Sequence, residues 1–180
     1  MHLMEKTIES KVVFEGKIIT VKNDKAELED GTIVSRELVC HSGGVCVVPI
    51  TNDDEIIMVK QFRYPFGEPL IEIPAGKLEL NENHRSAGMR ELCEETGASC
   101  AEEDFIYLGV TYPSVAYLSE KIHMYLASNL KFDKQKLDED EFLDVIKIKI
   151  DDAIKMVENG EIKDGKTMTA ILLTARRLGK

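Results

Sequence analysis

Three carboxylates fall within five residues, at Glu91, Glu94 and Glu95, directly behind Arg90. On a helix, Glu91 and Glu95 stand one turn apart on one face, with Glu94 beside them. Like charges at that spacing destabilise a helix unless something compensates them, and a divalent cation is the obvious compensation. Arg90 lies four residues before Glu94 and can hold it by a charge-assisted hydrogen bond. Upstream, Pro74-Ala75-Gly76 reads as a tight loop from which a backbone carbonyl can face the same carboxylates. Hard oxygen donors of this kind suit Mg2+ or Mn2+. Magnesium keeps several waters and takes its remaining ligands from substrate phosphates, so the chemistry implied is metal-assisted hydrolysis of a phosphate-bearing substrate. Taken alone, the run can also be read as a glutamate-rich helix face turned to solvent.

These carboxylates need a helix, and residues 83–96 supply one. Met89, Leu92, Cys93 and Thr96 form its expected apolar stripe, and Gly97 follows its end. Strands are expected before it. Residues 11–14, 17–21 and 33–40 form an antiparallel meander, with an Asp30-Gly31 hairpin turn. This meander is poor in large apolar side chains and needs a partner surface. A buried strand at 45–50 and further strands at 55–63 and 70–73 follow. After the helix come strands at 105–111, 121–127 and 142–150. Two helix faces close the chain, one carried by Ile150, Ala153, Ile154 and Val157, the other by Met168, Ile171, Leu172, Ala175 and Leu178. This order implies an α/β (α+β) fold, a mixed β-sheet with helices packed on it.

The chain has 180 residues and a formal net charge of -10, enough for one full core. Its acidic balance argues against nucleic acid or an anionic membrane as partner, and no apolar run approaches the roughly 20 residues that span a bilayer. The first residues lack the apolar core of a signal peptide. Cys40, Cys46, Cys93 and Cys100 form no Cys-x-x-Cys pair. They read as reduced thiols in the cytoplasm, with Cys46 as core.

The spacing Gly76-x5-Glu82-x7-Arg90-Glu91-Leu92-x-Glu94-Glu95-x-Gly97 matches the Nudix box at every defined position. The chain therefore resembles a Nudix hydrolase. The flanks 59–65, 72–79, 120–127, 137–142 and 164–167 are similar to the ADP-ribose pyrophosphatase branch. The resemblance implies a mixed sheet sandwiched between helices, with an N-terminal β-meander at 1–42 serving dimerisation and a hydrolase domain at 43–180. It implies hydrolysis of ADP-ribose to AMP and ribose 5-phosphate by a homodimer. The alternatives are other nucleoside diphosphate sugars or oxidised nucleotides as substrate, or a ligand-sensing domain without turnover.

Carried over by position, Glu91, Glu95 and the Ala75 carbonyl bind Mg2+ (or Mn2+). Glu94 acts as a ligand or beside the ligands, and Arg90 orients the glutamates. In the acidic run 138–141, Glu139 is the general base and Glu141 a further metal ligand, although an exposed acidic turn is the alternative. Arg36 and Glu37, from the other subunit, and Arg63 contact substrate; Arg63 alone could equally be a sheet-edge arginine. Glu120 and Lys77 are near the site by alignment only. His123 reads as a satisfied core residue. Ser114-Val115-Ala116 replaces the Ser-Pro-Gly usual in this branch, which bears on substrate preference rather than on the pyrophosphatase chemistry.

Overall fold

The computed structural model describes residues 3–79, 81–137 and 142–180. Its centre is the strand β4 (Gly44–Pro49), buried at every position. Strand alternation sends Val45 and Val47 to one face, and Cys46 and Val48 to the other. The first face packs with Ala87, Leu92, Phe105 and Tyr125. The second packs with Ile73, Met124, Ile150, Ala170 and Ile171. Both faces are therefore covered, which is why the run carries no polar residue. Burial pushes the Cys46 thiol up to about 12, as befits a core side chain.

The helix α1 (His84–Thr96) covers the first face, and α2 (Ile150–Glu158) and α3 (Gly165–Leu178) supply the second. The sheet between them is mixed. β4 pairs antiparallel with β7 (Ala75–Lys77) and parallel with β10 (Ile122–Ala127), which pairs antiparallel with β9 (Phe105–Thr111). A second, antiparallel sheet places β5 (Glu55–Arg63) between β6 (Glu68–Glu72) and β12 (Leu143–Lys149). Short strands β8 (Ala98–Ser99) and β11 (Lys131–Phe132) pair with each other. These elements form one of two compact units, Gly44–Thr111 with Ile122–Lys180.

The other unit takes the chain through Gly43 together with Tyr112–Lys121. It carries the antiparallel sheet β1 (Lys6–Glu15), β2 (Thr20–Glu27) and β3 (Ile33–Cys40). The Asp30-Gly31 turn forms as its sequence suggests. Gly31 takes φ 85, and the Asp30 carboxylate accepts from the Thr32 amide at 2.9 Å. β1 and β2 are longer than expected, because continuous cross-strand pairing carries them through polar residues by way of two register shifts. The meander is also richer in apolar surface than expected: Ile8, Val12, Val13 and Phe14 are all exposed.

The buried stripe of α1 also differs. Ala87, Gly88, Leu92 and Glu95 are buried, whereas Met89, Cys93 and Thr96 are half-buried. The helix approaches the sheet through its small residues. A Cβ on Gly88 would come within 2.9 Å of the Phe105 ring and 3.0 Å of Val45.

Candidate active site

Capping sets where α1 begins and ends. The Asn83 side chain accepts from the Arg85 amide at 2.9 Å. Gly97, at φ 69, stops the helix and returns its N–H to the Cys93 carbonyl. The last turn is tied to the chain that follows β11. The Lys136 amide donates to the Glu94 carbonyl at 3.0 Å, and the Gln135 side chain to the Glu95 carbonyl at 2.5 Å. Leu137 comes next. Glu139 and Glu141 lie outside the described residues.

Arg90 gathers the carboxylates. Its guanidinium forks onto Glu82 at 3.0 and 3.1 Å, and reaches Glu91 at 2.9 Å and Glu94 at 2.8 Å. The fork suits arginine's rigid planar donor set. Its hydrogen bond holds the Glu82 carboxyl below its ordinary value, and the same bond, with the Glu91 charge and the Glu94 hydrogen bond, raises the Arg90 guanidinium above its own. Glu91 occupies the space where a Cβ on Gly76 would sit. Glu95 is buried and accepts from the Ala75 amide at 3.1 Å. The structure thus brings Ala75, Gly76, Glu82, Arg90, Glu91, Glu94 and Glu95 together.

Arg63 is oriented by a residue that the sequence reading did not single out. Its guanidinium forks onto buried Glu72 at 2.5 and 2.7 Å. Lys166 reaches the same carboxylate at 2.5 Å and Asp164 at 2.9 Å. Asp164 caps α3 through the Thr167 amide. Burial drives the Glu72 carboxyl upward, but the Arg63 hydrogen bond and the Lys166 charge outweigh it and hold the group below its ordinary value. A glutamate between Ile71 and Ile73 in a strand was the available signal.

The histidines are held by aromatic neighbours. His84 stacks on His123 with centroids 3.8 Å apart, and their Nδ1 atoms lie 2.6 Å from the Tyr125 hydroxyl and 3.0 Å from that of Tyr107. In the other unit, Arg36 forks onto Glu5 at 2.7 and 2.8 Å, Glu37 is exposed on β3, and Glu120 lies 3.3 Å from His41.

Among the described residues, no three acidic, histidine or cysteine side chains form a ready-made metal cage. The donors nevertheless suit a hard cation that keeps waters: two largely buried carboxylates, Glu91 and Glu95, beside a glycine-lined loop. No helix among the described residues is long and apolar enough to cross a membrane.

The NUDIX domain model matches residues 41–171, and the nucleoside diphosphate sugar hydrolase N-terminal domain model matches residues 5–39. The chain is 42% identical to an ADP-ribose pyrophosphatase of Bacillus subtilis (strain 168), covering 94% of this chain and 91% of that one. It is 41% identical to the methanol dehydrogenase activator of Bacillus methanolicus, covering 93% and 90%. The crystal structure of an ADP compounds hydrolase shares the fold, with a TM-score of 0.88 at 20% identity, covering 99% of this chain and 96% of that one.

Proposed function

The chain belongs to the NUDIX family and is a Nudix pyrophosphohydrolase, and we propose that its reaction is hydrolysis of ADP-ribose to AMP and ribose 5-phosphate. The observation that carries this reading is the seating of Glu91 against Gly76 and of Glu95 on the Ala75 amide. It lines one loop with hard oxygen donors, of which Glu91 is held by Arg90 at 2.9 Å.

Glu91, Glu95 and the Ala75 carbonyl would hold Mg2+ or Mn2+, with Glu94 beside them and Glu141 as a further ligand. A bound divalent cation would supply charge neutralisation and Lewis-acid polarisation of a pyrophosphate. Arg90 orients Glu82, Glu91 and Glu94 through its charge-assisted hydrogen bonds. Water adds across the pyrophosphate bridge, and each product keeps one phosphoryl group. With the α1 glutamates committed to the cation, the proton of the attacking water goes to a separate base, which we assign to Glu139. The hydrogen bonds of Gln135 and Lys136 to the last turn of α1 support that assignment, since they tether the chain two residues before the acidic run. Arg36, Glu37, Arg63 and Glu120 bind the substrate.

We place the protein in the cytoplasm, where its four free thiols suit a reducing milieu. The exposed apolar side chains of β1 support a homodimer. A second reading, other nucleoside diphosphate sugars as substrate, is favoured by the N-terminal family match and the Ser114-Val115-Ala116 departure.

A panel of nucleotide sugars incubated with Mg2+, with products separated by chromatography, decides between them. AMP and ribose 5-phosphate from ADP-ribose are expected. Rapid cleavage of another sugar nucleotide with ADP-ribose left intact would overturn the ADP-ribose reading. Glu95→Gln should cost about a hundredfold in kcat with the fold retained, and an unchanged rate would refute the metal assignment.

A further inference from the structure

The segment that delivers Ala75 is fixed at four consecutive residues. The Glu72 carboxylate is held by Arg63 and Lys166. The Ile73 amide donates to the Thr167 hydroxyl oxygen at 3.1 Å. The Pro74 carbonyl accepts from the Val47 amide at 2.9 Å. The Ala75 amide donates to Glu95 at 3.1 Å. β4 supplies one of these restraints and α1 another. The first turn of α3, more than ninety residues further along the chain, takes part in the other two.

That turn is built to be rigid. Thr167 is fully buried, and its hydroxyl donates to Asp164 at 2.6 Å while accepting from Ile73. Asp164 also takes the Thr167 amide at 3.0 Å and the Lys166 ammonium at 2.9 Å. The Lys166 side chain is only 12% exposed. Each charge in the group has a partner, so a shift of Glu72 or Ile73 would break buried bonds at both ends. None of these side chains belongs to the Nudix box.

We infer that Lys166 and Thr167 are positioning residues, which fix the Ala75 carbonyl where a divalent cation can use it. The inference rests on the metal-dependent reading above. It makes α3, which carries no ligand of its own, a determinant of metal affinity. Displacing a ligand by a fraction of an ångström is enough to weaken such a site.

The test is Mn2+ binding to the substrate-free protein, followed by calorimetry well below the melting temperature, beside thermal melts and kcat and KM for ADP-ribose. Thr167→Val keeps the shape and removes both hydrogen bonds; Thr167→Ser keeps both. Thr167→Val should bind Mn2+ about tenfold more weakly, as loss of a ligand-orienting partner does elsewhere, and Thr167→Ser should bind like wild type. A folded Thr167→Val with wild-type Mn2+ affinity and a lowered melting temperature would overturn the inference, because the network would then serve stability alone. Should Thr167→Val fail to fold, Lys166→Met decides by the same criterion. A wild-type protein that takes up no Mn2+ would instead bring down the metal-dependent reading itself.

Discussion

Gly76 shows how one missing atom shapes the site. It does not serve a left-handed turn, since its φ is not positive. Its value is space, because a Cβ there would overlap the Glu91 carboxylate. Glu91 cannot yield freely, because Arg90 holds it at 2.9 Å while also holding Glu82 and Glu94. We therefore expect Gly76→Ala to push Glu91 off its seat and weaken divalent-cation binding by at least about tenfold. The fold should survive, since only the far end of one side chain has to move. Activity titrated against Mg2+, with a thermal melt as control, checks this. A variant with the wild-type Mg2+ half-saturation would show that Glu91 is not held by that fit.

Between elements, the cluster of Arg63, Glu72, Lys166 and Asp164 joins β5, β6 and α3. The Glu72 carboxyl is held below its ordinary value in the folded protein. The stability it contributes is fully present above the unfolded carboxylate's pKa of about 4.3 and is lost as pH falls through the lower folded value. Glu72→Gln leaves two cations facing a neutral amide, and should cost about 3 kcal/mol near neutral pH. Melts of both proteins from pH 7 to 3 should show the gap narrowing as acid removes the wild-type charge. A constant gap would mean that Glu72 acts by shape alone. The contrast with α1 explains what was legible in the sequence. Arg90, Glu91, Glu94 and Glu95 all lie on α1, and helix geometry alone brings them together. The strands at 33–40, 55–63 and 105–111 were readable from local pattern and run over those residues in the structure. Glu72 and Lys166 are 94 residues apart, and only the completed fold pairs them. β7, β8 and β11 escaped notice because each is three residues or fewer and owes its strand character to a partner. The buried face of α1 is not legible in the sequence, because Ala87 and Gly88 bury by being small and carry no large apolar side chain to mark it.

For the whole molecule, the question is what covers β1. It is an edge strand exposed at all ten residues, four of them large and apolar. An uncovered edge of that kind invites pairing or aggregation, and in a homodimer the second copy would shield it. Sedimentation should then give twice the 20.3 kDa chain mass, and Val12→Glu combined with Phe14→Glu should give monomers. If Arg36 serves the partner's site, the two defects must complement each other. Glu95→Gln disables one unit of its chain and Arg36→Ala the other. A mixed dimer then holds one site with both defects and one with neither. Random exchange makes half the dimers mixed, so equal amounts of two inactive variants should recover about a quarter of wild-type activity in a two-fold symmetric dimer. Recovery after subunit exchange, and none when the proteins are assayed immediately on mixing, would establish the shared site. If Arg36 and Glu95 instead serve the same site from one chain, every site in the mixture carries a defect and no activity returns.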